Sequence, residues 1–124
     1  MSNLKQCPIE KAFDHVGKKW GINIIRDLFL GKKRFRDFLA ANPELSTKML
    51  SSRLRELERK GIIEKRIAQK SPLLIEYHLT DKGRKLRPVL YSLAVYAVQE
   101  CPKEIIASNA SAADAMREIK AAFG

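Results

Sequence analysis

The sequence predicts a mainly α-helical fold carrying one small β-hairpin. Three observations carry that expectation. Apolar residues recur at helical spacing in several short stretches before residue 60 and in longer ones after residue 80. Between them the period changes: Ile62, Ile63 and Ile67 are β-branched, and Ile75, Tyr77 and Leu79 alternate with Glu76 and His78 as in a half-buried strand. Ala68-Gln69-Lys70-Ser71-Pro72 separates the two runs with a turn-like connection.

A first helix is expected over residues 8–16. Pro8 suits the first helical position, which needs no amide donor, and Ile9, Phe13 and Val16 then share a face before Gly17. A second helix runs from Trp20 to about Leu30, with Trp20, Ile24, Ile25, Leu28 and Phe29 as a broad core stripe closed by Gly31. Trp20 at this spacing reads as core rather than as a ligand-stacking residue. A short helix from Arg34 to about Ala41 buries Phe35, Phe38 and Leu39, and Asn42-Pro43-Glu44 forms a turn, because a residue before proline avoids helical backbone.

The next helix organises the chain. Ser46 is its expected N-cap and Gly61 its stop, since glycine enters the left-handed region without a β-carbon clash. Leu50, Leu54 and Leu57 fall on one face; Lys48, Ser52, Arg55 and Arg59 fall on the other, with Ser51 at its edge. An amphipathic surface helix has this pattern. So does a helix that lays cations and small hydroxyl residues into a DNA major groove. A short helix, a turn and this helix, followed directly by a hairpin, make a helix-turn-helix with a wing.

Beyond the wing, Thr80 is expected to cap a helix beginning Asp81-Lys82-Gly83 and continuing to Val98, with a kink at Pro88. From Val89 to Val98 only Ser92 and the tyrosines interrupt the apolar run. A helix apolar nearly all round must be covered on more than one side, by its own domain and by a second copy. Cys101-Pro102 breaks it, and Ala112, Met116, Ile119 and Phe123 mark a last helix.

Composition narrows the function. The 124 residues suit a single domain spanning 1–124, with a core over 7–97 and a C-terminal dimerisation helix and tail over 81–124. Net charge is +10, and residues 1–99 hold 21 Lys/Arg against 10 Asp/Glu, so the excess lies in the body of the chain. A folded basic domain points to a polyanion, above all nucleic acid. No apolar run reaches 18 residues, and the N-terminus lacks the apolar core of a signal peptide, so a cytoplasmic protein with no membrane partner is expected. Two cysteines are too few for a disulfide scaffold.

The ordered set of motifs resembles the HxlR family of winged-helix transcription regulators, relatives of the MarR group. It comprises Cys7-Pro8, Gly17-Lys18-Lys19-Trp20, Ile24-Ile25-Arg26-Asp27-Leu28, Gly31 with Arg34-Phe35, Ser46-Thr47-Lys48, Leu54-Arg55-Glu56-Leu57-Glu58, Gly61-Ile62-Ile63, Glu76-Tyr77, Leu79-Thr80 with Gly83, and Pro88-Val89-Leu90. The likeness covers about residues 7–97. It implies a winged helix-turn-helix with dimerisation helices at both ends, a homodimer, a near-palindromic double-stranded operator and no enzymatic activity. It also implies, for some members, sensing of a small electrophile or oxidant through a cysteine just before the first helix, the place of Cys7. The chain departs from the family at the wing, where the usual arginine is replaced by Leu74, and in the dimer helix, where Tyr96 stands for a tryptophan. The tail beyond Pro102 lies outside the pattern.

The candidate DNA contacts divide into two sets. Lys32, Lys33, Arg34, Arg36, Lys70 and Arg66 are placed to hold phosphates, which fixes register but reads nothing. Ser46, Thr47, Lys48, Ser51, Ser52 and Arg55 are placed at or near base edges, with Arg55 suited to guanine O6 and N7. Arg53 lies nearer the leucine face and reads as structural. The candidate dimer interface is Ile9, Phe13, Leu86, Val89, Leu90, Leu93, Tyr96 and Ala97. Cys7, at a helix start that favours negative charge, is the candidate redox sensor, and Cys101 of a second copy its candidate partner. The competing readings fare worse. An enzyme finds no constellation, since His15 and His78 lie on different elements and no phosphate loop is present. A zinc site from Cys7, His15, His78 and Cys101 lacks paired ligand spacing, so neither metal nor cofactor is expected. A winged helix that binds only protein needs no cationic outer helix face.

Overall fold

A computed structural model describes residues 2–124, which divide into two compact units, residues 2–83 and 84–124. In the first unit α1 (Pro8–Val16), α2 (Gly21–Phe29), α3 (Phe35–Ala41) and α4 (Thr47–Arg59) precede the hairpin of β1 (Ile63–Lys70) and β2 (Leu73–Leu79). The four-residue α5 (Asp81–Arg84) then leads to α6 (Arg87–Glu100), α7 (Pro102–Ile105) and α8 (Ala112–Phe123).

The core of the first unit follows from the apolar spacing. Ile24, Ile25 and Leu28 of α2, Phe38 of α3, and Leu50, Leu54 and Leu57 of α4 are buried together with Ile62, Ile63, Tyr77 and Leu79 of the hairpin. Phe38 and Tyr77 meet edge to face, their ring centres 6.4 Å apart. The strands are antiparallel, with Ile63 opposite Leu79 and Ile67 opposite Ile75. Burial pairs with this register: the ends near the body are covered, and the rest of β1 projects into solvent.

Two glycines are required by the backbone. Gly61 follows α4 at φ +75°, a conformation that costs other residues a steric clash. Gly83 lies so close to the Ile62 carbonyl that a β-carbon there would collide with it. Thr80 ties the same place together: its hydroxyl contacts the carbonyl oxygens of Gly61 and Ile62 at 2.5 and 3.1 Å and accepts from the Gly83 amide at 3.1 Å.

Four expectations are corrected. Trp20 is half-buried, not core; it stands at φ +75° as the N-cap of α2, with the Lys19 ammonium 5.4 Å above its ring. The wing turn is shorter than expected, because β1 runs on through Lys70 and a bulge between Ile67 and Gln69 absorbs Ala68. The helix from Thr80 does not kink at Pro88. It stops after α5 and restarts at Arg87, which puts Pro88 in a first turn where its missing amide breaks no bond. Leu90, expected at an interface, is buried within its own chain. It shares a face of α6 with Val98, whereas Val89, Leu93 and Tyr96 point elsewhere and are exposed.

In the second unit α8 packs along α6. Ser111 and Asp114 cap α8 reciprocally, at 3.1 and 2.9 Å. The Arg87 guanidinium donates to the Ala122 carbonyl at 2.9 Å, so the start of α6 meets the end of α8 and the two run antiparallel. Met116, Ile119 and Phe123 are half-buried; Ala112, expected on the same face, is exposed in the first turn.

Candidate nucleic-acid interface

The α3–turn–α4 segment is held by polar groups under its apolar face. Asn42, 5 % exposed, donates to the Asp27 carboxylate and to the Phe38 carbonyl, both at 2.8 Å. Arg26 closes the set, donating to Asn42 Oδ1 and to Asp27 Oδ1 at 3.0 Å. The end of α3 is thereby bound to α2, which sets where the turn delivers the chain into α4. Ser46 then starts α4 by accepting from the Met49 amide at 3.1 Å.

With the leucines of α4 in the core, its opposite face is open. Thr47, Lys48, Arg55 and Arg59 are exposed beside Ser46, and Ser51 and Ser52 are half-buried at its edges. Arg53 turns inward, donating from Nε to the Lys19 carbonyl at 2.8 Å and from Nη1 to Glu56 at 3.4 Å.

The cations flanking α3 differ from one another. Lys32 and Arg36 are exposed, and Arg34 is the half-buried N-cap of α3. Lys33 is exposed but tethered. Its carbonyl accepts from the Tyr77 amide at 2.7 Å, and its ammonium lies 3.6 Å from Glu76. Glu76 also meets His78 Nε2 at 3.0 Å; the histidine contact foremost, and Lys33 with it, holds the Glu76 carboxyl below its ordinary range. On the wing, Arg66 is paired with Glu64 and Lys70 is exposed at the hairpin end. The apolar side chains of Ile67 and Leu73 are exposed on the wing as well.

Sequence reasoning also missed Glu56. It lies 8 % exposed between three cations, Lys18 at 3.0 Å, Lys60 at 3.1 Å and Arg53 at 3.4 Å. The Lys18 ammonium, aided by Lys60, holds its carboxyl down at about 2 against the upward push of burial. An acidic residue in a cationic helix looks like a solvent-facing partner, and only the fold brings Lys18 to it.

The remaining candidates lie apart from α4. Cys7 is the half-buried N-cap of α1, beside a shallow depression of about 520 Å³ lined by Lys5, Glu10, Lys11 and Asp14. Cys101 is half-buried between α6 and α7, and both thiols are free. Ile9 and Phe13 on α1 are exposed, as are Val89, Leu93 and Tyr96 on α6, while Leu86 and Ala97 are half-buried. Among the described residues no three His, Cys, Asp or Glu side chains gather as metal ligands, and no helix is long and apolar enough to cross a membrane.

A short helix, a polar-locked turn, a helix with an open cationic face and a hairpin beyond it define a winged helix-turn-helix, a class that binds DNA. Residues 15–105 match the profile of the HxlR-like helix-turn-helix family. The chain belongs to that family of transcription regulators. It is 40 % identical over 100 residues to the HTH-type transcriptional regulator YvaP of Bacillus subtilis, covering 80 % of this chain and 93 % of that one. It is 40 % identical over 96 residues to YodB of the same organism, also an HTH-type transcriptional regulator, covering 77 % and 86 %. Reduced YodB superposes with a TM-score of 0.69 at 39 % identity, over 77 % of this chain and 95 % of that one. The redox regulator HypR in its oxidised form gives 0.70 at 34 %, over 76 % and 97 %. The named relatives are regulators, not enzymes, and DNA is the partner that this class implies. The family match ends at residue 105, so α8 lies outside it.

Proposed function

We propose that the protein is a homodimeric regulator that lays α4 into successive major grooves of a near-palindromic operator, with its affinity set by the state of Cys7. The observation that carries this reading is the open face of α4, where Thr47, Lys48 and Arg55 stand clear of every intramolecular tie described above. Arg55 reads guanine, while Lys32, Lys33, Arg36 and Lys70 hold phosphates. The exposed apolar side chains Ile9 and Phe13 of α1 in the first unit, and separately Val89, Leu93 and Tyr96 of α6 in the second, supply apolar surface for a second copy to cover.

The thiol response is supported by position and by likeness. Cys7 occupies the N-cap position of α1 without a side-chain capping bond and borders an open depression. YodB has been solved in a quinone-bound form, at 39 % identity to this chain, and HypR in reduced and oxidised forms. A quinone adds to the Cys7 sulfur as a thioether, the thiol proton ending on the reduced ring. A two-electron oxidant instead removes two electrons and two protons and joins Cys7 to Cys101 of the partner subunit. Selection of bound duplexes from a random pool, with and without oxidant, tests the whole reading. A two-fold symmetric consensus whose recovery falls or rises with oxidant supports it; recovery of random sequence in both arms overturns it.

A further inference from the structure

Helix α1 carries no buried residue, and only His15 and Val16 on it are even half-buried. It packs lightly on α2. Polar ties also join it, and the junction after it, to α4. The Lys60 ammonium, just past the end of α4, donates to the Asp14 carbonyl in α1. Lys18, in the junction after α1, reaches Glu56 at 3.0 Å. Arg53 of α4 donates to the Lys19 carbonyl of the same junction at 2.8 Å. Lys18, Arg53 and Lys60 all meet on the one Glu56 carboxylate. A buried carboxylate shared by several cations adds little net stability, but its removal leaves three cations without their common anion, and so it fixes register.

We propose that Glu56 is a positioning residue for DNA reading: it locks α4 to the junction after α1, so that displacement of α1 is carried to the reading face beginning at the adjacent Arg55. This rests on the reading of α4 as the recognition helix and of Cys7 as a responsive thiol at the head of α1. Lys18 is the useful handle, because its side chain is 60 % exposed and its replacement leaves the core untouched.

The experiment measures affinity for the selected operator before and after alkylation with N-ethylmaleimide, which adds the Cys7 sulfur across its double bond and the proton to the neighbouring carbon. Wild type, Lys18→Met, Lys18→Arg and Glu56→Gln are compared, and a Cys7→Ser protein given the same reagent reports any effect of Cys101. Amide hydrogen exchange along α4 is followed in parallel. Alkylation is expected to change wild-type affinity by about fivefold or more, the lower end of ordinary coupling between sites. It should also change exchange in α4. Lys18→Arg should respond as wild type does, whereas Lys18→Met and Glu56→Gln should bind within about twofold before and after, well under that coupling. If Lys18→Met responds as fully as wild type, the coupling through Glu56 is overturned while the thiol reading stands. A wild type that is itself unmoved, in affinity and in exchange, overturns the thiol reading and the coupling with it. Should Glu56→Gln fail to fold, Lys18→Met still decides.

Discussion

Single side chains show most sharply what is local and what is not. The Ser46 cap, the three buried leucines of α4 and the left-handed Gly61 were legible in the sequence, because each depends on neighbours a few residues away. Asn42 was read only as part of a turn, yet it is buried against Asp27, 15 residues earlier. Replacing it with alanine strips Asp27 of a donor inside the fold and should cost about 1–3 kcal/mol, read as a lowered urea midpoint. Glu56 makes a second test. Its carboxyl ionises at about 2 in the folded chain against an ordinary 4.5, so the folded form binds fewer protons between those values. Its stabilisation is complete above pH 4.5 and is lost as pH falls towards 2. Urea midpoints over that range should fall more steeply for wild type than for Glu56→Gln. Arg55 stands in the open, and Arg55→Ala should lose about 1–3 kcal/mol of discrimination between operator and random duplex. Equal weakening on both duplexes would refute its assignment as a reader.

At the scale of elements, the helices and the hairpin follow from hydrophobic period, whereas their boundaries were set by backbone chemistry that the period does not carry. The bulge at Ala68 turned an expected loop into strand, and Pro88 restarted a helix instead of bending it. The wing was legible as a hairpin, but its link to α3 was not. That link runs through the Tyr77 amide on the Lys33 carbonyl and through Glu76 on the Lys33 ammonium. Glu76 thus competes with phosphate for Lys33. Glu76→Gln should tighten binding to all duplexes alike and steepen the slope of log affinity against log salt by about one. An unchanged slope in a salt titration would show that Glu76 does not hold Lys33 away from phosphate.

For the whole molecule, charge and apolar surface address different partners. The basic excess marks DNA, while exposed Leu93 and Tyr96, 55 % and 65 % accessible, mark a surface of another kind. Sequence periodicity foresaw that α6 needs more than one cover, but it could not foresee that α8, beyond the family match, supplies part of it. What α8 leaves bare is assigned above to a second copy. Leu93→Glu puts a charge in the middle of that surface and should shift sedimentation from dimer to monomer at micromolar concentration. The exposed position predicts a folded monomer, with a helical circular dichroism spectrum like that of wild type.

The chain has a single tryptophan, and it stands where the first helix gives way to the second. Its half-buried indole has the Lys19 ammonium over the ring, and the Lys19 carbonyl is held by Arg53 of α4. The protein therefore carries its own optical gauge at the joint between its two ends of interest. A change of emission on adding thiol reagent or duplex comes from one known place, with no label attached, and its time course separates movement at that joint from the binding of DNA.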